Sequence, residues 1–209
     1  MNLLIVGNDA ALAECQARLG DAHQYTHAES FSKALAFDHV DVVFDFSEAH
    51  SLDAIHSYAS QTKALVFVNT VFTTLSRVVD EQSTHSAIIG FCGLPTFFNR
   101  EVLEVTVRDD SSRGKLTTVC QLLNLKYIVV KDQVGFVTPR VVSMIINEAF
   151  ETLGDGVASR HDIDLSMKLG TSYPFGPFLW AERIGVDNVR KLLNAVYADT
   201  GENRYKPVI

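Results

Sequence analysis

An α/β fold, a doubly wound and mostly parallel sheet followed by a small all-α C-terminal domain, is predicted by three observations. Short runs such as LLIV at residues 3–6 and VVF at 42–44 are apolar on successive residues, as in strands covered on both faces. Helically spaced stretches alternate with these runs as far as residue 130, and such short β-α-β links imply right-handed crossovers. Beyond that point no strand pattern recurs and the periodic stretches are helical. The change divides the chain into residues 1–132 and 133–209.

Taken in order, the first strand spans residues 2–7 and a helix follows over 10–19. A weak strand near 24–27 precedes a short helix over 31–37 that Ser30 is placed to cap. The third strand is 41–46; Ser47 is the expected cap of the next helix, whose Leu52, Ile55 and Ala59 share one face. Strands at 64–69 and 87–92 flank a helix near 73–81. A longer strand at 102–108, a helix over 111–124 and a strand at 127–130 complete the sheet. Gly135 then turns the chain into a helix over 139–153, with Thr138 as its expected cap and Pro139 in its first turn. Ser159 opens a capping-box-like SRHD, and Gly170 is the expected stop of that helix. A short helix from Pro177 to Ile184 and a last one over 188–198, between Asp187 as cap and Gly201 as stop, end the pattern.

With 209 residues, 47% of them hydrophobic, the chain can bury one good core or two modest ones. A net charge of −7 without basic runs argues against nucleic acid or an anionic membrane as partner. No apolar run has the length of a membrane span, and residues 3–6 lack the flank and length of a signal peptide. Cys15, Cys92 and Cys120 are odd in number and widely spaced, which suits free thiols in a reducing compartment; the chain reads as soluble and cytoplasmic.

A dinucleotide-binding turn after the first strand uses Gly-x-Gly-x-x-Gly, where the second glycine admits the pyrophosphate. Here the turn runs GNDAAL from Gly7 to Leu12, so Gly7 and Asn8 are the candidate cofactor contacts and Asp9 replaces the second glycine. Asp9 sets negative charge where phosphate approaches a helix N-terminus, or serves simply as the helix cap. The nearest acidic residue to a ribose-reading position, Glu29, falls beyond the predicted end of the second strand.

Motifs in the second half point to a family. DQVGFVTPR at residues 132–140 and NEA at 147–149 are followed by HDIDLSMKLG at 161–170 and PFGPF at 174–178. AERIG at 181–185 and TGENRY at 200–205 complete the set, which resembles the C-terminal domain of the 3-hydroxyacyl-CoA dehydrogenases over nearly all the chain after Asp132. The resemblance implies a Rossmann-like N-terminal domain using NAD and a homodimer through the C-terminal helices; the residues themselves suggest no metal. It also implies oxidation of 3-hydroxyacyl-CoA in fatty acid metabolism, with a histidine base oriented by a glutamate. The segment from Gly90 to Val105 aligns with the family stretch bearing both; the glutamate is Glu104 and the histidine position holds Cys92. Asn69 and Thr70 are similar to the family's loop, and Asn69 joins the candidate cofactor contacts. Val71 stands where the family has serine, and Pro139 where it has asparagine. Only residues 27–40 separate the second and third strands, which leaves no space for the helical excursion that helps the family hold coenzyme A, and the chain stops soon after its Arg-Tyr-x-Pro motif.

Cysteine is a poor substitute for imidazole as a base near neutral pH, and a neighbouring carboxylate makes it poorer. Two readings follow: a catalytically degenerate family member, acting as a dimeric scaffold or binding an unidentified small ligand, and an active NAD-dependent oxidoreductase with an altered site around Glu104. Cys92 itself fits either a small buried hydrophobe or a redox thiol. His161 with Asp162 and Asp164 fits a helix start better than a metal site, and His23 and His27, placed on one strand, lie too far apart for one. His56 and His85 show no partners in sequence.

Overall fold

The structure is a computed structural model that describes residues 1–32, 35–61, 63–79 and 87–209, apart from the side chain of residue 61. The chain divides into two compact units, Met1–Phe136 and Val137–Ile209, four residues later than the change in sequence pattern.

The first unit holds a seven-stranded sheet in the order β2-β1-β3-β4-β5-β6-β7. Strands β1 (Asn2–Val6), β2 (Gln24–Ala28), β3 (Val42–Asp45), β4 (Leu65–Asn69) and β5 (Ile88–Phe91) are mutually parallel, β6 (Val102–Val107) runs antiparallel to β5, and β7 (Lys126–Val129) is parallel to β6. Helices α1 (Asp9–Leu19), α2 (Leu52–Gln61), α3 (Leu75–Val78) and α4 (Arg113–Leu122) accompany them, with a 3-10 turn at Asp110–Ser112 before α4. The side chains of β1, β3 and β4 alternate between two buried cores, as the unbroken apolar strands require. On one face Phe44 stacks on Phe67, with Phe91 and Phe98 edge-on beside them; on the other, Tyr58 packs between Phe31 and Phe37. The sheet changes winding direction between β1 and β3, which makes the C-terminal ends of these strands the natural crevice of the fold.

The second unit is helical: α5 (Thr138–Gly154), α6 (Arg160–Thr171), α7 (Pro177–Ile184) and α8 (Val186–Thr200), then a 3-10 turn at Asn203–Tyr205. Val142, Ile146, Phe178 and Trp180 are buried because α5 packs against both α7 and α8. Val141 remains 54% exposed on the outer face of α5.

Several expected boundaries move. Residues 31, 32 and 35–37 are not helical, since aromatic anchoring on Tyr58 sets their path; residues 33 and 34 lie outside the described set. The cap of α2 is Ser51, whose Oγ accepts from the Ala54 amide at 3.1 Å, because the helix starts only at Leu52, well after Ser47. Leu52, expected on the buried face, is exposed. Only residues 75–78 of the expected 73–81 helix are helical among those described; residues 80 and 81, and His85, lie outside. Thr138 is the first helical residue of α5 rather than its cap, α6 ends on left-handed Ser172 rather than at Gly170, and α8 starts at Val186 with Asp187 inside its first turn. No described helix is long and apolar enough to cross a membrane.

Candidate functional site

The first turn is built differently from the expectation that Asp9 caps α1. Asn8 is the cap, its Oδ1 accepting from the Ala11 amide at 3.0 Å, and Asp9 is the first helical residue with its side chain 96% exposed. Gly7 has φ +153, and a Cβ there would stand 3.0 Å from that of Phe46, so the turn is covered by the residue that follows β3. Strand β2 runs one residue further than predicted. Val6 pairs with Ala28, which places Glu29, exposed, directly after the strand and level with Gly7. His27 binds the Gly7 carbonyl through Nε2 at 2.7 Å and turns Nδ1 toward Asp9 at 3.8 Å. His23 precedes the strand, 3.4 Å from the N-terminal amine.

Asn69, at the end of β4, is 2% exposed and fully engaged by backbone. Its Oδ1 accepts from Gly93 at 2.9 Å and Val71 at 3.3 Å, and its Nδ2 donates to the Phe46 carbonyl at 3.4 Å. Gly93 permits this approach, for a Cβ there would meet Asn69 Cγ at 2.8 Å. Gly7, Asn8 and Asn69 are thus all used by the fold itself.

Cys92 follows β5 directly and is 3% exposed. Burial pushes its thiol well above the usual cysteine range; the Leu94 amide opposes this, Glu104 reinforces it, and Arg100 opposes it again. Glu104, on β6, is half-buried. Arg100 stacks on Phe97 at 4.6 Å and interacts with both Cys92 and Glu104. Across from them Glu14 of α1 reaches the amides of Thr96 at 3.2 Å and Asn99 at 3.1 Å, in a loop where Thr96 has φ 74, unusual for a β-branched residue. Burial raises the Glu14 carboxyl above its ordinary range, with these amides opposing the rise. Cys92 and Glu104 were visible in sequence. Arg100 lies in the same ungapped segment and was findable as the basic residue between them; Glu14, 82 positions from Thr96, carried no such signal.

Among the described residues no group of three or more His, Cys, Asp or Glu is arranged to hold a metal. The carboxylate of Asp162 and the hydroxyl of Ser159 close the cap of α6, and Asp164 caps α7 through the amides of Phe178 at 2.8 Å and Leu179 at 3.2 Å. Both aspartates near His161 are therefore structural. The second unit carries a groove of about 730 Å³ between α5, α6 and the last turn, lined by Val141, Met144, Ile145, Met167 and Tyr205, with Arg140 and Glu148 among its polar groups.

Comparison with known proteins bears on the family and the fold. The model of the 3-hydroxyacyl-CoA dehydrogenase C-terminal domain matches residues 135–209. A 3-hydroxyadipyl-CoA dehydrogenase of Escherichia coli is 37% identical over 106 residues, 51% of this chain and 22% of that protein. A 3-hydroxybutyryl-CoA dehydrogenase of Clostridioides difficile is 30% identical over 148 residues, 68% of this chain and 51% of that protein. The aligned regions thus span about half or less of these curated relatives. The crystal structure of (S)-3-hydroxybutyryl-CoA dehydrogenase from Ralstonia eutropha superposes with a TM-score of 0.76 at 21% identity, covering 99% of this chain and 90% of that one; it shows the shared fold.

Proposed function

From membership of the 3-hydroxyacyl-CoA dehydrogenase family, to which this chain belongs as a divergent member matched most strongly in its C-terminal domain, we infer that it has lost the family's hydride-transfer chemistry. The observation that carries this reading is Cys92, buried where the resemblance places a histidine base, its thiol held protonated by burial and by Glu104. A general base works best with a pKa near the working pH, and this thiol is far from it. Val71, fully buried, occupies the serine position and adds no polar group.

The first turn does not fit the cofactor either. Asp9 opens α1 with an exposed carboxylate, the side chain of Asn8 is used as the cap, and Phe46 lies on Gly7. NAD held in the family's manner would place its pyrophosphate against this carboxylate. The surviving role is that of a scaffold built on the C-terminal domain, assembled as a twofold dimer that covers the apolar groove and the exposed Val141. A dimer mass by light scattering at micromolar concentration supports that assembly, and a monomer refutes it.

A second reading is favoured by one observation: Glu29, level with Gly7 at the end of β2, stands where a ribose hydroxyl is read in dinucleotide folds. On that reading the chain is an NAD-dependent oxidoreductase of 3-hydroxyacyl-CoA or a related hydroxy substrate. Calorimetry with NADH separates the two. The degenerate reading expects no binding tighter than about millimolar, roughly 4 kcal/mol; micromolar binding abolished by Glu29→Ala overturns it.

A further inference from the structure

A buried chain of polar groups crosses the C-terminal edge of the sheet, apart from the Cys92 cluster. Asp45, the last residue of β3, is fully buried, and its carboxylate accepts from the Ser47 amide at 2.9 Å and from the Tyr58 hydroxyl at 2.9 Å. His50 Nδ1 lies 3.3 Å from Asp45 Oδ2, an ion-pair contact with the ring turned off a straight hydrogen bond; both side chains are at most 2% exposed. The other ring nitrogen, Nε2, is 3.0 Å from the carbonyl of Asn69. Asn69 in turn holds the amides of Gly93 and Val71.

Both neighbours of the ring are acceptors, a carboxylate and a carbonyl. A neutral imidazole has one N–H and satisfies one of them; the imidazolium satisfies both. A buried carboxylate facing an unprotonated ring nitrogen is unfavourable, so the site selects the charged ring. We propose that protonated His50 is a lock that ties the loops after β3, β4 and β5 together and holds residues 46–51 down on the Gly7 turn, and that losing its proton releases this segment. The consequence is local. Phe46 covers Gly7, so the position of residues 46–51 sets access to the crevice between β1 and β3.

Among the described residues, the groups acting on His50 are few. Asp45 faces it from β3, and the Tyr58 hydroxyl of α2 acts through the same carboxylate; from β4 comes only the neutral Asn69 carbonyl. Glu48 and Asp53, close by in sequence, are exposed. Burial alone lowers the pKa of the ring, but Asp45 and the Asn69 carbonyl outweigh it and hold His50 above the usual histidine range. The inference is independent of whether catalysis survives, because none of these groups belongs to the Cys92 cluster.

The test uses the native chain, uniformly labelled with nitrogen-15. At about pH 7.5, where an ordinary histidine is mostly neutral, the His50 ring is expected to carry hydrogen on both nitrogens. As pH rises and the ring titrates, exchange of the Ser47 and Gly93 amides should accelerate roughly five- to tenfold relative to β1 amides, the ratio one lost hydrogen bond carries. His50→Gln, which cannot titrate, should show no such step; the native readout stands even if that variant fails to fold. A single protonated ring nitrogen at about pH 7.5 overturns the lock. Titration without a change in relative exchange, or a ring still charged at about pH 10, overturns the release.

Discussion

Asn69→Ala is the sharpest test of how the C-terminal edge of the sheet is held. The substitution removes the acceptor for two buried donors, Gly93 N–H at 2.9 Å and Val71 N–H at 3.3 Å, and one donor to the Phe46 carbonyl at 3.4 Å. Each buried donor left without an acceptor costs roughly 1–3 kcal/mol; the longer Val71 contact sits at the low end, so the expected loss is about 2–4 kcal/mol. The backbone carbonyl that receives His50 is untouched, which confines the damage to the side chain. The only tryptophan, Trp180, lies in the helical unit and reports the wrong half of the molecule. Hydrogen exchange of the β4 and β5 amides is the appropriate assay, because strand amides open with the unit they belong to. A loss under about 1 kcal/mol in Asn69→Ala would show that water or a backbone shift replaces the amide and that Asn69 does not organise the loops.

Other outcomes follow from single contacts. Asp164→Ala uncaps α7 and should lower stability by about 0.5–2 kcal/mol in urea unfolding followed by Trp180 fluorescence, with Asp164→Asn losing less. Iodoacetamide at mildly alkaline pH should leave Cys15, Cys92 and Cys120 unmodified in the native protein and label all three in denaturant, since each is buried with its thiol raised by burial. Melting temperature should show a plateau with two edges. His50, raised above about 6.5, contributes stability that is complete below that pH and is lost as pH rises through its folded value. Asp45 is buried, which raises its carboxyl, but His50 and Ser47 outweigh burial and lower it; its contribution is present above about pH 3.9 and is lost as pH falls through the folded value. In His50→Gln the alkaline edge should disappear.

The architecture was legible because its signals are local. Unbroken apolar runs marked β1, β3, β4 and β5, the weaker patterns of β2, β6 and β7 were placed as closely, and Gly201 and the Ser159 box marked helix ends correctly. Errors arose where the folded chain, not the local pattern, set an end. Ser47 and Ser51 both precede α2; the helix starts at Leu52, so Ser51 is the residue whose hydroxyl reaches the Ala54 amide. Glu29 was misplaced because pairing with β1, not composition, carries β2 on to Ala28. Of the candidate site, half was legible. Cys92 and Glu104 stand in one recognisable segment, whereas the links from Asp45 through His50 to Asn69, and from Glu14 to Thr96 and Asn99, join side chains to positions that only the folded sheet brings together.

Acetoacetyl-CoA reduction, followed through the absorbance of NADH, tests most directly whether catalysis is lost. A positioned general base contributes on the order of 10²–10⁴ in rate, and here the first turn is altered as well. The expected result is no turnover above background, both for the native chain and for Cys92→His, since restoring one base leaves Asp9 in the turn and Val71 beside Asn69. Turnover by the native chain that is abolished by Glu104→Gln would contradict this and identify the chain as a working dehydrogenase with a rebuilt site.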